Sequence, residues 1–111
     1  MSVSRVSFIK YLESKTAKWP RRYIRHLFGS AGFFYGPKLF LFVMEESFCL
    51  KPLTPDRVRL LRLRDVHQFY NAGKPFGRWL EVPIPTKTSQ AKTILPFLRR
   101  AYLGIRRGNK K

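Results

Sequence analysis

Leu27 to Pro52 reads LFGSAGFFYGPKLFLFVMEESFCLKP: seven aromatic residues and a run of aliphatics set between glycine and proline, with Glu45 and Glu46 as its only acids. Large apolar residues alternating between turn residues point to half-buried strands rather than helix. The stretch therefore predicts two hairpins. A first strand, from about Arg21 to Phe28, gives way to a turn at Gly29 to Gly32. Phe33 to Tyr35 begin a second strand, which Gly36-Pro37 bends or interrupts and Lys38 to Val43 continue. Met44 to Ser47 turn into a third strand, Phe48 to Lys51. Within Lys38 to Val43, either Phe40 and Phe42 or Leu39, Leu41 and Val43 must face a core, because a strand with large apolar residues on both sides buries at least one set. In the first strand Tyr23, Arg25 and Leu27 share one face and Ile24, His26 and Phe28 the other, and periodicity leaves open which is buried.

Outward from this centre, the N-terminal residues Val3, Val6, Ile9 and Leu12 recur every third position, with Phe8 and Tyr11 beside them, as one apolar helical stripe. Ser4 or Ser7 would cap that helix, and Pro20 ends it by Lys18. Thr54-Pro55-Asp56 has the form of a helix start, with Thr54 as N-cap, Pro55 at the first helical position and Asp56 at the positive end of the dipole. The helix that follows carries apolar residues on two opposite sides, so it either is buried along both or ends near Leu63; the second is the better reading. Val66 to Tyr70 and Phe76 to Val82 form a further hairpin about Asn71-Ala72-Gly73-Lys74, in which Asn and Gly supply positive φ. Phe76, Arg78, Leu80 and Val82 share one of its faces and Trp79 takes the other. After Pro83-Ile84-Pro85, Thr86 to Ser89 cap a last helix that ends before the tail Gly-Asn-Lys-Lys.

A chain of 111 residues with 44% hydrophobic and 15% aromatic content is one folded domain, since disordered segments lack the apolar surface to offset ordering entropy. The domain is expected over residues 1–107, with 108–111 a basic tail. The 23 Lys and Arg against 6 Asp and Glu give a formal charge of +17, an excess that attracts polyanions: nucleic acid, anionic lipid or an acidic protein. No apolar run approaches the roughly 18–20 residues of a membrane span, and the N-terminus has no secretory apolar region. Residues 1–25 share the composition of an organellar transit peptide, but they are needed for the first helix. The single Cys49 cannot form an internal disulfide and suits the reducing cytoplasm as a small apolar side chain.

The basic residues fall into sets. Arg21, Arg22 and Arg25 stand at the start of the first strand, as a clamp on phosphate or on an acidic partner, or as a charged strand end that discourages edge pairing. In the last helix Ile94, Leu95, Phe97, Leu98, Ala101, Tyr102 and Ile105 share one broad arc at roughly 3.6 residues per turn. Arg99 with Arg106, and Arg100 with Arg107, then form two parallel ridges away from the core, Leu103 lies exposed between them, and Lys110 and Lys111 extend the charge. These nine residues are the candidate contacts to nucleic-acid backbone. Catalytic signatures are absent from the sequence: Glu45-Glu46 adjoin in a turn, and neither His26 nor His67 has a Ser, Cys or acid close in sequence to form a relay. Two His and one Cys fall short of a zinc set, and Gly29, Gly32 and Gly36 lack the context of a phosphate-binding loop. Neither a metal nor a cofactor is expected.

The order helix, three strands, helix, two strands, helix resembles the TfoX N-terminal domain family of bacterial competence regulators. The residues that carry the likeness are Phe8 to Leu12, Arg21-Arg22 leading into Leu27-Phe28-Gly29, Gly32 to Gly36 and Leu39 to Val43. Phe48 to Lys51, Gly73-Lys74, Trp79 to Pro83, Leu95 to Phe97 and Ala101 continue it. The likeness spans about residues 6 to 106; Gly29-Ser30 departs from the family's usual Gly-Gly, and the charge exceeds the family's. It implies a two-layer α+β domain with an antiparallel sheet of about five strands, similar to the secretion-chaperone architecture. The family's full regulators carry a second, helical domain that this sequence is expected to lack. Three functions of different class follow: a DNA-binding, transcription-linked accessory domain that is not an enzyme; an adaptor for an acidic protein; and an enzyme of unknown type. The oligomeric state is left open.

Overall fold

The structure, a computed structural model, describes residues 5–27 and 30–107. In chain order the elements are α1 (Arg5–Lys15), β1 (Arg22–Leu27), β2 (Ser30–Tyr35), β3 (Lys38–Val43) and β4 (Ser47–Leu50). They are followed by α2 (Thr54–Leu61), β5 (His67–Asn71), β6 (Lys74–Pro83) and α3 (Thr88–Arg106). Among the described residues the fold is α+β, with three helices and one antiparallel sheet in the order β1-β2-β3-β4-β6-β5. The sheet has six strands rather than five because Gly36-Pro37 does not bend a strand but reverses it. Tyr35 pairs with Lys38, and Gly36 takes φ 55°, a conformation in which glycine has no Cβ penalty. After β4 the chain crosses through α2, lays β5 at the far edge and returns with β6 between β5 and β4.

Helices and sheet share one core, in which Phe8, Leu12, Leu60, Leu98 and Tyr102 meet Phe33, Phe40, Leu41, Phe48, Leu50 and Leu80. Phe8 of α1 stacks on Phe48 with centroids 5.2 Å apart, and Tyr102 of α3 meets Phe40 at 5.5 Å. In α1 the buried stripe is Phe8, Ile9 and Leu12, while Val6 is exposed; Val3 and Ser4 lie outside the described residues. The expected every-third-residue stripe drifts around a helix of 3.6 residues per turn, and an i, i+4 pair wins. The first strand runs to Leu27, Phe28 and Gly29 lie outside the described residues, and Ser30 to Gly32 belong to β2 instead of a turn, paired with Leu27 to Arg25.

Neither expected face of β3 is buried as a set. The register of β2 on β3 shifts between Phe33 and Phe34, leaving Phe40 as the extra residue of a bulge. Phe40, Leu41 and Val43 are all fully buried, while Leu39 turns to the other face beside Gly32. A bulge changes which side a residue faces at the cost of one unpaired position. β6 does the same. Gly77 has φ 53°, and Phe76 lies on the Trp79 face, 5.8 Å from that ring, rather than with Leu80. In the β5–β6 turn the positive φ values fall on Ala72 and Gly73, and Asn71 remains in the strand, paired with Lys74. α2 starts with Leu53 as N-cap; the Thr54 hydroxyl instead accepts a hydrogen bond from Arg78 at 3.3 Å. α2 ends at Leu61, short of a second buried side, and leaves Val58, Leu61 and Leu63 exposed. No helix among the described residues is long and apolar enough to cross a membrane.

Candidate functional site

The cations expected to act together are divided by the fold. Arg22 is structural: its Nη1 donates to the Glu13 carbonyl at 3.0 Å and to the Thr16 hydroxyl at 3.2 Å, so it closes the C-terminus of α1. A cation is favoured there, where helix carbonyls lack partners. Arg100 is also engaged. Its Nε donates to Asp56 Oδ2 at 2.7 Å, Arg59 holds the other carboxylate oxygen at 3.1 Å, and Asp56 is 2% exposed. The hydrogen bond to Asp56 raises the Arg100 pKa further above its ordinary value. The ridge of Arg100 and Arg107 is therefore broken at its first member, which turns toward α2. Leu103, expected to be exposed, is half-buried and packs against the core.

The other ridge survives and finds new company. Where α1 ends, the chain passes Lys18-Trp19-Pro20 across the C-terminal half of α3. There Lys15, Lys18, Trp19, Arg99, Tyr102 and Arg106 line a groove of about 480 Å³ with no acidic residue on its walls. The floor is aromatic and tied by a hydrogen bond. Trp19 stacks on Tyr102 at 4.8 Å, the Tyr102 hydroxyl donates to the Pro20 carbonyl at 2.6 Å, and the Arg99 guanidinium lies 5.9 Å from the Trp19 ring centre. Burial pushes the Tyr102 hydroxyl above the ordinary tyrosine range, although Arg106 and Arg99 pull against it. The phenol therefore stays a neutral donor on the groove floor. Lys15, Lys18 and Trp19 did not stand out in the sequence. Their signal is a basic–aromatic–proline exit from a helix, which reads first as a helix stop.

Arg21 and Arg25 are exposed; Arg25 lies on β1, an edge of the sheet, and Arg21 in the turn just before it. Arg21, at φ 57°, places its guanidinium 5.0 Å from the Tyr35 ring centre. Arg25 reaches the sheet face opposite the helices, where it borders a second groove with Gly32, Phe34, Phe42 and Met44. Arg107 is exposed just beyond α3, and Lys110 and Lys111 lie outside the described residues.

Both histidines pair with carboxylates distant in sequence, His26 with Glu13 at 3.1 Å and His67 with Glu81 at 3.2 Å. Glu81 also accepts from Ser47 at 2.7 Å. This places the carboxylate between hydroxyl and imidazole, whereas a nucleophilic relay needs the imidazole in the middle. Among the described residues no group of three or more His, Cys, Asp or Glu is placed to hold a metal. Comparison with protein-family models, with curated protein sequences and with solved structures returns no match.

Proposed function

We propose that this chain is a non-enzymatic, TfoX-like accessory or regulatory domain that works in the cytoplasm and binds nucleic acid through its basic surface. The observation that carries the reading is the groove between α1 and α3, where Lys15, Lys18, Arg99 and Arg106 converge without an acid on the lining. Like charges brought together on a fixed frame repel one another. A chain that places four around one concavity is stabilised by a polyanion there, and a phosphate backbone supplies regularly spaced anions. Trp19 adds an aromatic surface beneath them. Arg21 before the adjoining edge strand and Arg25 on it, with Arg107, extend the same field.

The test is a salt titration of binding to arbitrary duplex DNA. Each phosphate contact contributes about 0.9 to the slope of log affinity on log salt, so changing Lys15, Lys18, Arg99 and Arg106 together to Ala should lower the slope by about 3.6. Arg100→Ala should leave it unchanged, because that guanidinium is held by Asp56. Equal slopes for the wild-type chain and the quadruple variant would overturn the reading. An acidic protein partner docked through apolar contacts would instead give an affinity with little salt dependence.

A further inference from the structure

We infer that the sheet face opposite the helices binds the unpaired bases of single-stranded nucleic acid, and this rests on the backbone-binding reading above. Among the described residues no helix packs on this face, and it is aromatic. Tyr23 meets Phe34 at 5.8 Å, and across a gap Phe42, Phe69, Phe76 and Trp79 form a linked set with centroids 5.3–5.8 Å apart. Between the two sets runs a groove of about 560 Å³, within the roughly 300–1,000 Å³ of small-molecule sites. Gly32 keeps it open. A Cβ at this position would lie 3.2 Å from both Leu39 Cδ1 and Phe34 Cε1, so any side chain there fills the space between the Phe34 and Phe42 walls.

The chemistry of the rim selects the occupant. Arg25 borders the groove, and no carboxylate among the described residues pairs with it. Glu81, on this face, is already held by Ser47 and His67. A ligand that offers flat rings to Phe34 and Phe42 and an anion to Arg25 is a nucleotide. In a chain of charge +17 the matching polymer is a polyanion with accessible bases. Duplex bases are stacked on one another and present no face to a sheet; single strands do. The chain gives the route, since it leaves the basic groove at Trp19-Pro20 and β1 then carries Tyr23 and Arg25 onto this face.

The experiment compares three probes at one salt concentration: a dT 12-mer, an abasic 12-mer of the same charge, and a 12-base-pair duplex. Fluorescence anisotropy should show the dT strand binding about tenfold more tightly than the abasic strand, the effect of stacking on one or two rings. Gly32→Val should erase that difference while leaving the abasic and duplex affinities unchanged. Tyr23→Ser with Phe76→Ser, at the two most exposed rings of the face, should shrink it without touching the core. Equal affinity for dT and abasic strands would overturn the inference and leave the backbone reading standing; binding to none of the probes would overturn both. Sedimentation of the free chain should show a monomer. A dimer abolished by Tyr23→Ser with Phe76→Ser would assign the face to a second copy and likewise overturn the proposal.

Discussion

Cys49 is fully buried although its strand presents it to the side of the sheet opposite the helices. It is opposed by Phe42 and Glu81 in the neighbouring strands, and the Phe42–Trp79 ring contact at 5.3 Å bridges over β4. Burial, with the Glu81 charge second, raises the thiol from 9.0 to about 12. Between those values the unfolded chain loses the proton and the folded chain keeps it, so stability falls as pH rises and is unaffected below the lower value. The slope is about 1.4 kcal/mol per pH unit. Denaturant titrations from pH 8 to 10.5 should show the wild-type chain losing about 2 kcal/mol relative to Cys49→Ala; parallel curves would contradict the assignment. Asp56 is the other residue whose surroundings decide its weight. Asp56→Asn removes the counter-charge of two arginines that are themselves 43% and 62% exposed at the side chain. The expected loss is therefore about 1–2 kcal/mol, below the roughly 3–5 of a pair sealed on both sides. In an Arg100→Met background the same substitution should cost measurably less.

At the scale of elements, β3 holds the sharpest test. Phe40 is fully buried among Phe33, Trp19 and Tyr102, whereas Phe42 is half-buried on the open face. Phe40→Ala should cost about 3–5 kcal/mol, and Phe42→Ala clearly less, since part of its ring already meets water. Thermal melts of the two variants settle the matter; equal losses would put the bulge in the wrong place. This is also where sequence reading reached its limit. Runs such as Lys38 to Val43 and Phe76 to Val82 announce strands through composition and flanking glycines. The order of helices and strands followed from those runs together with Pro20 and Thr54-Pro55. Faces were not legible, because period-2 alternation holds only while the ladder is regular, and a bulge or a Gly77 at positive φ inverts everything beyond it. The candidate site failed in the same way. Helix geometry placed Arg99 and Arg106 on one ridge, as found, but nothing local in the sequence tells Arg100 that Asp56 lies 44 residues away in the chain and 2.7 Å away in space.

The charge of the whole molecule sets its response to salt. Of the 6 acids, only Asp56 is within ion-pair distance of an arginine or lysine among the described residues. Screening therefore removes few attractive contacts and many repulsive ones. With a Debye length that shrinks from about 30 Å at 0.01 M to about 3 Å at 1 M, the free protein should melt at a higher temperature as sodium chloride rises from 0.01 to 0.5 M, because self-repulsion destabilises the compact state of a highly charged chain. Bound nucleic acid should reverse that trend. A ligand that binds only the folded state stabilises it by about 2.7 kcal/mol at 100 times its dissociation constant, and here the dissociation constant itself rises steeply with salt. At 0.01 M salt an oligonucleotide should lift the melting temperature well above that of the free protein, and the two curves should converge toward 0.5 M. If the free protein melted lower in high salt, the positive residues would be held by attractive pairs rather than poised in repulsion, and the groove between α1 and α3 would lose its physical reason to bind an anion.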